Sequence, residues 1–234
     1  MIKDDYSGPL DVVPWPTQLK ARVVSNGAER RIHGYSVESD LAKNYSFTET
    51  ILLGLTGELP SAEQARAFDI ALTFLAPITV AEAPTHAALL ARVCVATTST
   101  LSGTAALGIA EQSRFDLARY GAFISWLNAP TAEFPADFAT SSLVERVRVS
   151  ALKSALVARN GVMPPQLDRD LDETAAIIAV LFACGLRSLQ QIEVVRTLAR
   201  FPFAMAEAFA SPPAGHKDYP LLLPTIRYEE TVTS

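Results

Sequence analysis

Residues 31–72 read RIHGYSVESDLAKNYSFTETILLGLTGELPSAEQARAFDIAL, and the punctuation of this stretch decides the fold. Gly34–Tyr35 marks a turn, and two helix starts follow. Ser46 with Glu49 spells an S-x-x-E capping box and Ser61 with Gln64 an S-x-x-Q box, in which side chains and backbone N–H groups satisfy one another reciprocally. Between them Ile51, Leu52 and Leu55 form an apolar stripe. It ends at Gly57, the residue type that best tolerates the left-handed backbone closing a helix. Pro60 separates the two helices.

Upstream, residues 1–18 contain Pro9, Pro14 and Pro16 and read as an extended arm. Lys20 to Tyr35 reads as a small β-hairpin, with Val23–Val24 facing Arg31–Ile32 and Asn26–Gly27 expected to supply the positive φ angles of a tight turn. Downstream almost everything reads as helix. HAALLARVCVATTSTLSG (86–103) is rich in small residues that allow close helix packing, and the pattern continues from Gly103 to Asn128. Leu107, Ile109, Leu117, Phe123, Ile124 and Trp126 are its core candidates. Ser142 with Glu145 opens a helix that closes near Asn160–Gly161, Asp172 caps an apolar helix ending at Cys184–Gly185, and Ser188 with Gln191 opens a helix that Pro202 should break or kink. The fold class is all-α with a short N-terminal β-hairpin.

The chain has 234 residues, enough for a substantial core. It is 49% hydrophobic and 19% charged, with a mean hydropathy of +0.20, which points to a large buried surface, part of it between subunits. The net charge of −5 and the scattered distribution of the 20 Lys and Arg argue against a nucleic-acid footprint. The start, Met1–Ile2–Lys3–Asp4–Asp5, is polar rather than signal-like. The longest uncharged apolar run, 174–186, is too short for a bilayer, which needs about 20 residues. Cys94 and Cys184 both fall in apolar segments and read as buried free thiols in a reducing compartment. Together these features lead to a cytoplasmic expectation.

The ordered blocks of residues 31–72 resemble the citrate synthase superfamily and its shorter citryl-CoA lyase-like members. The matching features are an arginine–x–x–glycine–tyrosine turn, an "LA…SF-E" segment, an "LL-G-LP" segment and a following helix. The resemblance implies a two-lobed helical fold: arm and hairpin over 1–35, large domain over 36–114, small lobe over 115–185, and closing helices with tail over 186–234. It also implies chemistry at a thioester, in which an aspartate removes a proton and two histidines stabilise developing oxyanions.

The resemblance assigns site residues unevenly. After the small-residue helix the family carries H-G-G-A, whereas this chain reads Glu111–Gln112–Ser113–Arg114–Phe115–Asp116. The family's G-F-G-H and D-P-R segments correspond to Glu133–Phe134–Pro135–Ala136–Asp137–Phe138, without histidine or glycine. Asp172, in Asp170–Leu171–Asp172–Glu173, takes the catalytic aspartate position; a plain helix N-cap is the competing role for it. Arg200 matches a substrate-carboxylate arginine, Phe203 replaces a glycine and Glu207 replaces a histidine. Arg227 falls near a tail arginine that the family lends to a neighbouring subunit. His216 is the spare histidine for a substrate contact; His33 and His86 match no catalytic position. Ser150–Lys153 fits S-x-x-K without its companion motifs.

Two functions follow from the resemblance. One is a citrate synthase-like protein that is noncatalytic alone, a structural or regulatory subunit or a binder of an acyl-CoA or carboxylic acid. The other is an active condensing enzyme or citryl-CoA lyase with a rearranged site, in which Asp172 is the base and Ser113, Arg114 or His216 stabilises the oxyanion. No cofactor is expected beyond coenzyme A thioester as a substrate, and no metal. The expected partners are a second copy or a citrate synthase-like paralogue, and a di- or tricarboxylic acid or acyl-CoA ligand, with no nucleic acid and no membrane.

Overall fold

The computed structural model describes residues 18–130, 134–215 and 225–227. The chain divides into two compact units, Met1–Glu58 and Leu59–Ser234.

In the first unit, β1 (Val24–Asn26), β2 (Arg30–Ile32) and β3 (Tyr35–Ser36) form an antiparallel sheet in that order. The tight turn is not at Asn26–Gly27. Asn26 pairs with Arg30, leaving a three-residue loop in which Gly27 keeps a negative φ. The two-residue turn is His33–Gly34, with φ of 48° and 87°, closing the Ile32–Tyr35 pair. Two successive left-handed residues match the strand twist, so this is where the hairpin is sharp. Glu29 holds the sheet together by accepting from Ser36, Ser39 and Arg31. A π-turn (Val37–Leu41) and the short α1 (Ala42–Asn44) lead to α2 (Phe47–Thr56). The Ser46–Glu49 box is formed, and Gly57 closes α2 at φ 84°.

The second unit is helical. The Ser61–Gln64 box opens α3 (Ala62–Leu75); α4 (Ala83–Val93), α5 (Thr98–Leu117), α6 (Gly121–Asn128), α7 (Leu143–Ala158), α8 (Glu173–Ala183) and α9 (Leu189–Ala210) follow. The small-residue segment is two helices, not one: the chain turns at 94–97, where Val95 takes φ 62°. Helix α5 packs on α9 and α4, and α3 packs on α8 and α7. One apolar cluster joins Ile78, Ala88, Leu101, Ala105, Ile109, Ala204, Met205 and Ala208. Every residue of 175–181 in α8 is buried, so this helix is apolar all round, as a central helix must be.

Three expectations need correction. Leu107 is 69% exposed, because α5 turns Ile109 and Ala105 inward and Leu107 away. Trp126 is only partly buried. Cys94 is exposed at the end of α4, while Cys184 is buried and its thiol is pushed up to about 12 by that burial. Of the two outcomes expected at Pro202, a break does not occur: α9 runs from Leu189 to Ala210, with Ala199, Ala204, Met205 and Ala208 anchoring it on both sides of the one lost backbone bond. Among the described residues no helix is long and apolar enough to cross a membrane.

Candidate functional site

The segment entering α8 is clamped from both sides. Thr140 donates its N–H to the Asp170 carbonyl at 2.8 Å, and Asp172 donates its own to the Phe138 carbonyl at 2.9 Å. This short antiparallel bridge holds Asp172 extended, with φ −64° and ψ 160°, the conformation of a helix N-cap. Its carboxylate accepts from the Ala175 N–H at 2.7 Å. Asp172 is thus the N-cap of α8.

Asp172 is 6% exposed and does more than cap. The Tyr120 hydroxyl bridges its two oxygens at 3.1 and 3.0 Å, and Arg119 reaches Oδ2 at 3.0 Å. Arg119 also donates to the Tyr120 oxygen and lies over its ring, 4.6 Å from the centroid. Arg119, Tyr120 and Asp172 thus form a directed relay of donors onto one carboxylate. Burial pushes the Asp172 carboxyl above its ordinary range, against the pull of the Ala175 N–H, Tyr120 and Arg119. Burial wins because Arg119 is 64% exposed and water screens much of its charge. Burial, with the carboxylate beside it, also raises the Tyr120 hydroxyl.

Beyond Thr174 the α8 N-terminus opens onto a cleft of about 500 Å³. Arg148, Arg196 and Arg200 line it together with Phe74, Leu75 and Ile177. A second hollow of about 480 Å³ shares Thr174 and Arg196 and reaches Arg119 and Tyr120. Arg196 therefore stands between the two. It is 12% exposed and pairs with Asp116 at 2.6 Å. Burial, then the neighbouring Arg200 charge, pushes its guanidinium down, and Asp116 opposes the shift. Arg200 donates to the Leu75 carbonyl at 3.2 Å and to Glu82 at 2.7 Å. Burial works to raise Glu82, but the Thr79 N–H, Gln112 and Arg200 hold it below the usual carboxylate range. Arg148 pairs with Glu173 at 2.9 Å.

The candidates from sequence fall unevenly around this cleft. Arg200 lines it; Asp172 lines neither hollow and lies two residues before Thr174, which lines both. Arg227 is exposed and makes no hydrogen bond or ion pair among the described residues, and His216 lies outside those residues. Arg114 is exposed and tied to Glu111 at 2.7 Å, while Ser113 is buried against the Thr197 hydroxyl. Phe203 is half exposed and Glu207 exposed. Ser150 is exposed on α7. Arg119, Tyr120, Arg148 and Arg196 were not legible as site residues. The one available signal was the Arg196–Arg200 spacing of four, which puts both on one face of a helix. Among the described residues no group of three His, Cys, Asp or Glu side chains could hold a metal.

Comparison with solved structures places this architecture. The chain is similar to citryl-CoA lyase from Hydrogenobacter thermophilus, with a TM-score of 0.62 and 16% identity over 92% of this chain and 97% of that one. It is also similar to ATP citrate lyase from Methanosaeta concilii in complex with (3S)-citryl-CoA, with a TM-score of 0.57, 16% identity and 96% coverage of this chain. A third similar structure is ATP citrate lyase from Methanothrix soehngenii in complex with citrate and coenzyme A, with a TM-score of 0.55, 13% identity and 100% coverage of this chain. The chain spans 45% and 46% of those two longer chains. No family model matches the sequence, and no curated protein does. The fold is that of citryl-CoA lyase and the citrate synthase-like proteins; at 13–16% identity the likeness extends to the fold alone.

Proposed function

We propose that this is a citrate synthase-like protein that binds a carboxylic acid or its coenzyme A thioester in the cleft lined by Arg148, Arg196 and Arg200, and does not turn it over alone. One observation carries the reading: both oxygens of Asp172 are already engaged by donors of its own chain. A general base needs a lone pair aimed at the proton it removes. Here the Ala175 N–H, Arg119 and the single Tyr120 proton occupy three of the carboxylate's about four lone-pair positions, and its burial leaves little room to aim the remaining one at a substrate proton. The cleft beside it supplies arginines, which suit anion recognition. The segment matching the first histidine motif turns Arg114 outward and buries Ser113, so neither is presented as an oxyanion donor.

The test is coenzyme A thiol release from acetyl-CoA plus oxaloacetate, and from citryl-CoA, with the purified protein alone. The expected rate is indistinguishable from that without protein. Release that requires the chain and disappears in Asp172→Asn overturns the noncatalytic reading. It would instead establish an active condensing enzyme or lyase, a reading favoured by one feature: burial raises the Asp172 carboxyl toward the range useful to a base.

Assembly with a second copy or with a citrate synthase-like paralogue belongs to the same proposal. It is supported by the exposed Leu107 and Phe115 on α5, at 69% and 81%. Light scattering of the purified chain separates the cases. A monomer that copurifies with no citrate synthase-like chain removes both.

A further inference from the structure

The cleft's charge balance and its apolar lining specify a narrower ligand class than a carboxylic acid in general. Each of its three arginines already carries one carboxylate: Arg148 has Glu173, Arg196 has Asp116 and Arg200 has Glu82. The set is neutral as it stands. A polyanionic acid would bring several negative charges to a neutral, partly buried site, at a desolvation cost that no unspent cation offsets. A single negative charge can still be accommodated. Among the described residues Arg196 makes one hydrogen bond, to Asp116, whereas a guanidinium has five N–H groups in a planar fork. Arg196 lines both hollows, and among the described residues none of its nitrogens is buried without a partner, so those remaining donors are open to a ligand there. Burial first, and then the like charge of Arg200 four residues along the same helix, push the Arg196 guanidinium down, and an anion would relieve both.

Apolar side chains share the lining. Phe74 and Leu75 close α3, Pro77 follows, and Ile177 faces the cleft from α8. Arg200 is fixed beside them by its bond to the Leu75 carbonyl. A cation cluster next to an aromatic and aliphatic surface fits a molecule that is charged at one end only.

We propose that the cleft takes an amphipathic monocarboxylate, one carboxylate on an apolar aliphatic or aryl body, with the head on Arg196 and the body against Phe74 and Ile177. This rests on reading the cleft as a carboxylate site. Calorimetric titration of the full chain with sodium hexanoate, phenylacetate, citrate and 1-hexanol tests it. Hexanoate and phenylacetate are expected to bind at least about tenfold more tightly than citrate or hexanol. Phe74→Ala should weaken hexanoate about fivefold while moving citrate less than about twofold. Arg196→Gln should abolish hexanoate binding. If that variant melts early, Phe74→Ala and the hexanoate–hexanol comparison still decide. Citrate binding more tightly than hexanoate overturns the amphipathic class and leaves the anion cleft standing. Hexanol matching hexanoate overturns the role of Arg196. No binding by any of the four up to about 10 mM overturns both this inference and the carboxylate reading beneath it.

Discussion

Replacing Tyr120 by Phe isolates the contact that defines the candidate site. Tyr120 is 2% exposed, and its ring packs on Phe138 with centroids 5.4 Å apart, so the substitution keeps the packing and removes only the hydroxyl. That hydroxyl contacts both oxygens of a carboxylate that is itself 6% exposed. A hydrogen bond to a charged, buried acceptor contributes about 1.5–3 kcal/mol, so the expected loss is about 2 kcal/mol. For a chain of this size that lowers the melting temperature by about 4–8 °C. The assay is thermal and urea denaturation of Tyr120→Phe, Asp172→Asn and the double variant. The cycle should return a coupling of about 1–2 kcal/mol.

The pH dependence has a definite sign. The folded Asp172 carboxyl titrates above its unfolded value, so the native state holds the extra proton in that window and stability falls as pH rises through it. Tyr120 opposes that fall by stabilising the ionised form. The Tyr120→Phe penalty should therefore grow with rising pH and shrink below the ordinary carboxyl range. A penalty under about 0.5 kcal/mol at neutral pH, or one independent of Asp172, would refute the relay.

Other consequences can be checked independently. Gly161→Ala places a methyl group 2.9 Å from a Leu156 methyl carbon and 3.3 Å from the Ala67 Cα, where backbone cannot yield. It should cost about 1–3 kcal/mol in urea denaturation. With a thiol reagent under native conditions, Cys94 should react rapidly and Cys184 only on unfolding, since its thiol is buried and pushed up to about 12; mass spectrometry of the labelled chain distinguishes them. Pro202→Ala restores a backbone donor within α9 and should raise the melting temperature; an unchanged or lower value would show that the helix had adapted fully to the proline.

Much of this fold was legible in the sequence because helix ends are local events. A serine and a residue three positions on can make a capping box by themselves, and three of the four, at Ser46, Ser61 and Ser188, form where their residues stand; at Ser142 the serine caps, but Thr140 takes both the Glu145 carboxylate and the Ser142 N–H. Gly57 and Gly185 end their helices with positive φ for the same local reason. Where a local signal had two outlets, the structure chose. The residue types alone place the tight hairpin turn at Asn26–Gly27 and a further turn at Gly34–Tyr35; pairing of Ile32 with Tyr35 makes Tyr35 a strand residue and puts the two-residue turn at His33–Gly34. Leu107 is apolar by type, yet which face of α5 meets α4 and α9 is settled by packing.

The site lies at the far end of this scale. Asp172 was legible as a cap, but the Tyr120 that binds it is 52 residues away. Asp116 and Arg196 are separated by 80 residues, and Glu82 and Arg200 by 118. Side-chain type and spacing record what a residue can do with its neighbours along the chain. Which distant charges share a carboxylate, which arginine keeps donors unspent, and which apolar side chains line the cleft with it depend on how α3, α5, α7, α8 and α9 pack, and only the tertiary structure decides that.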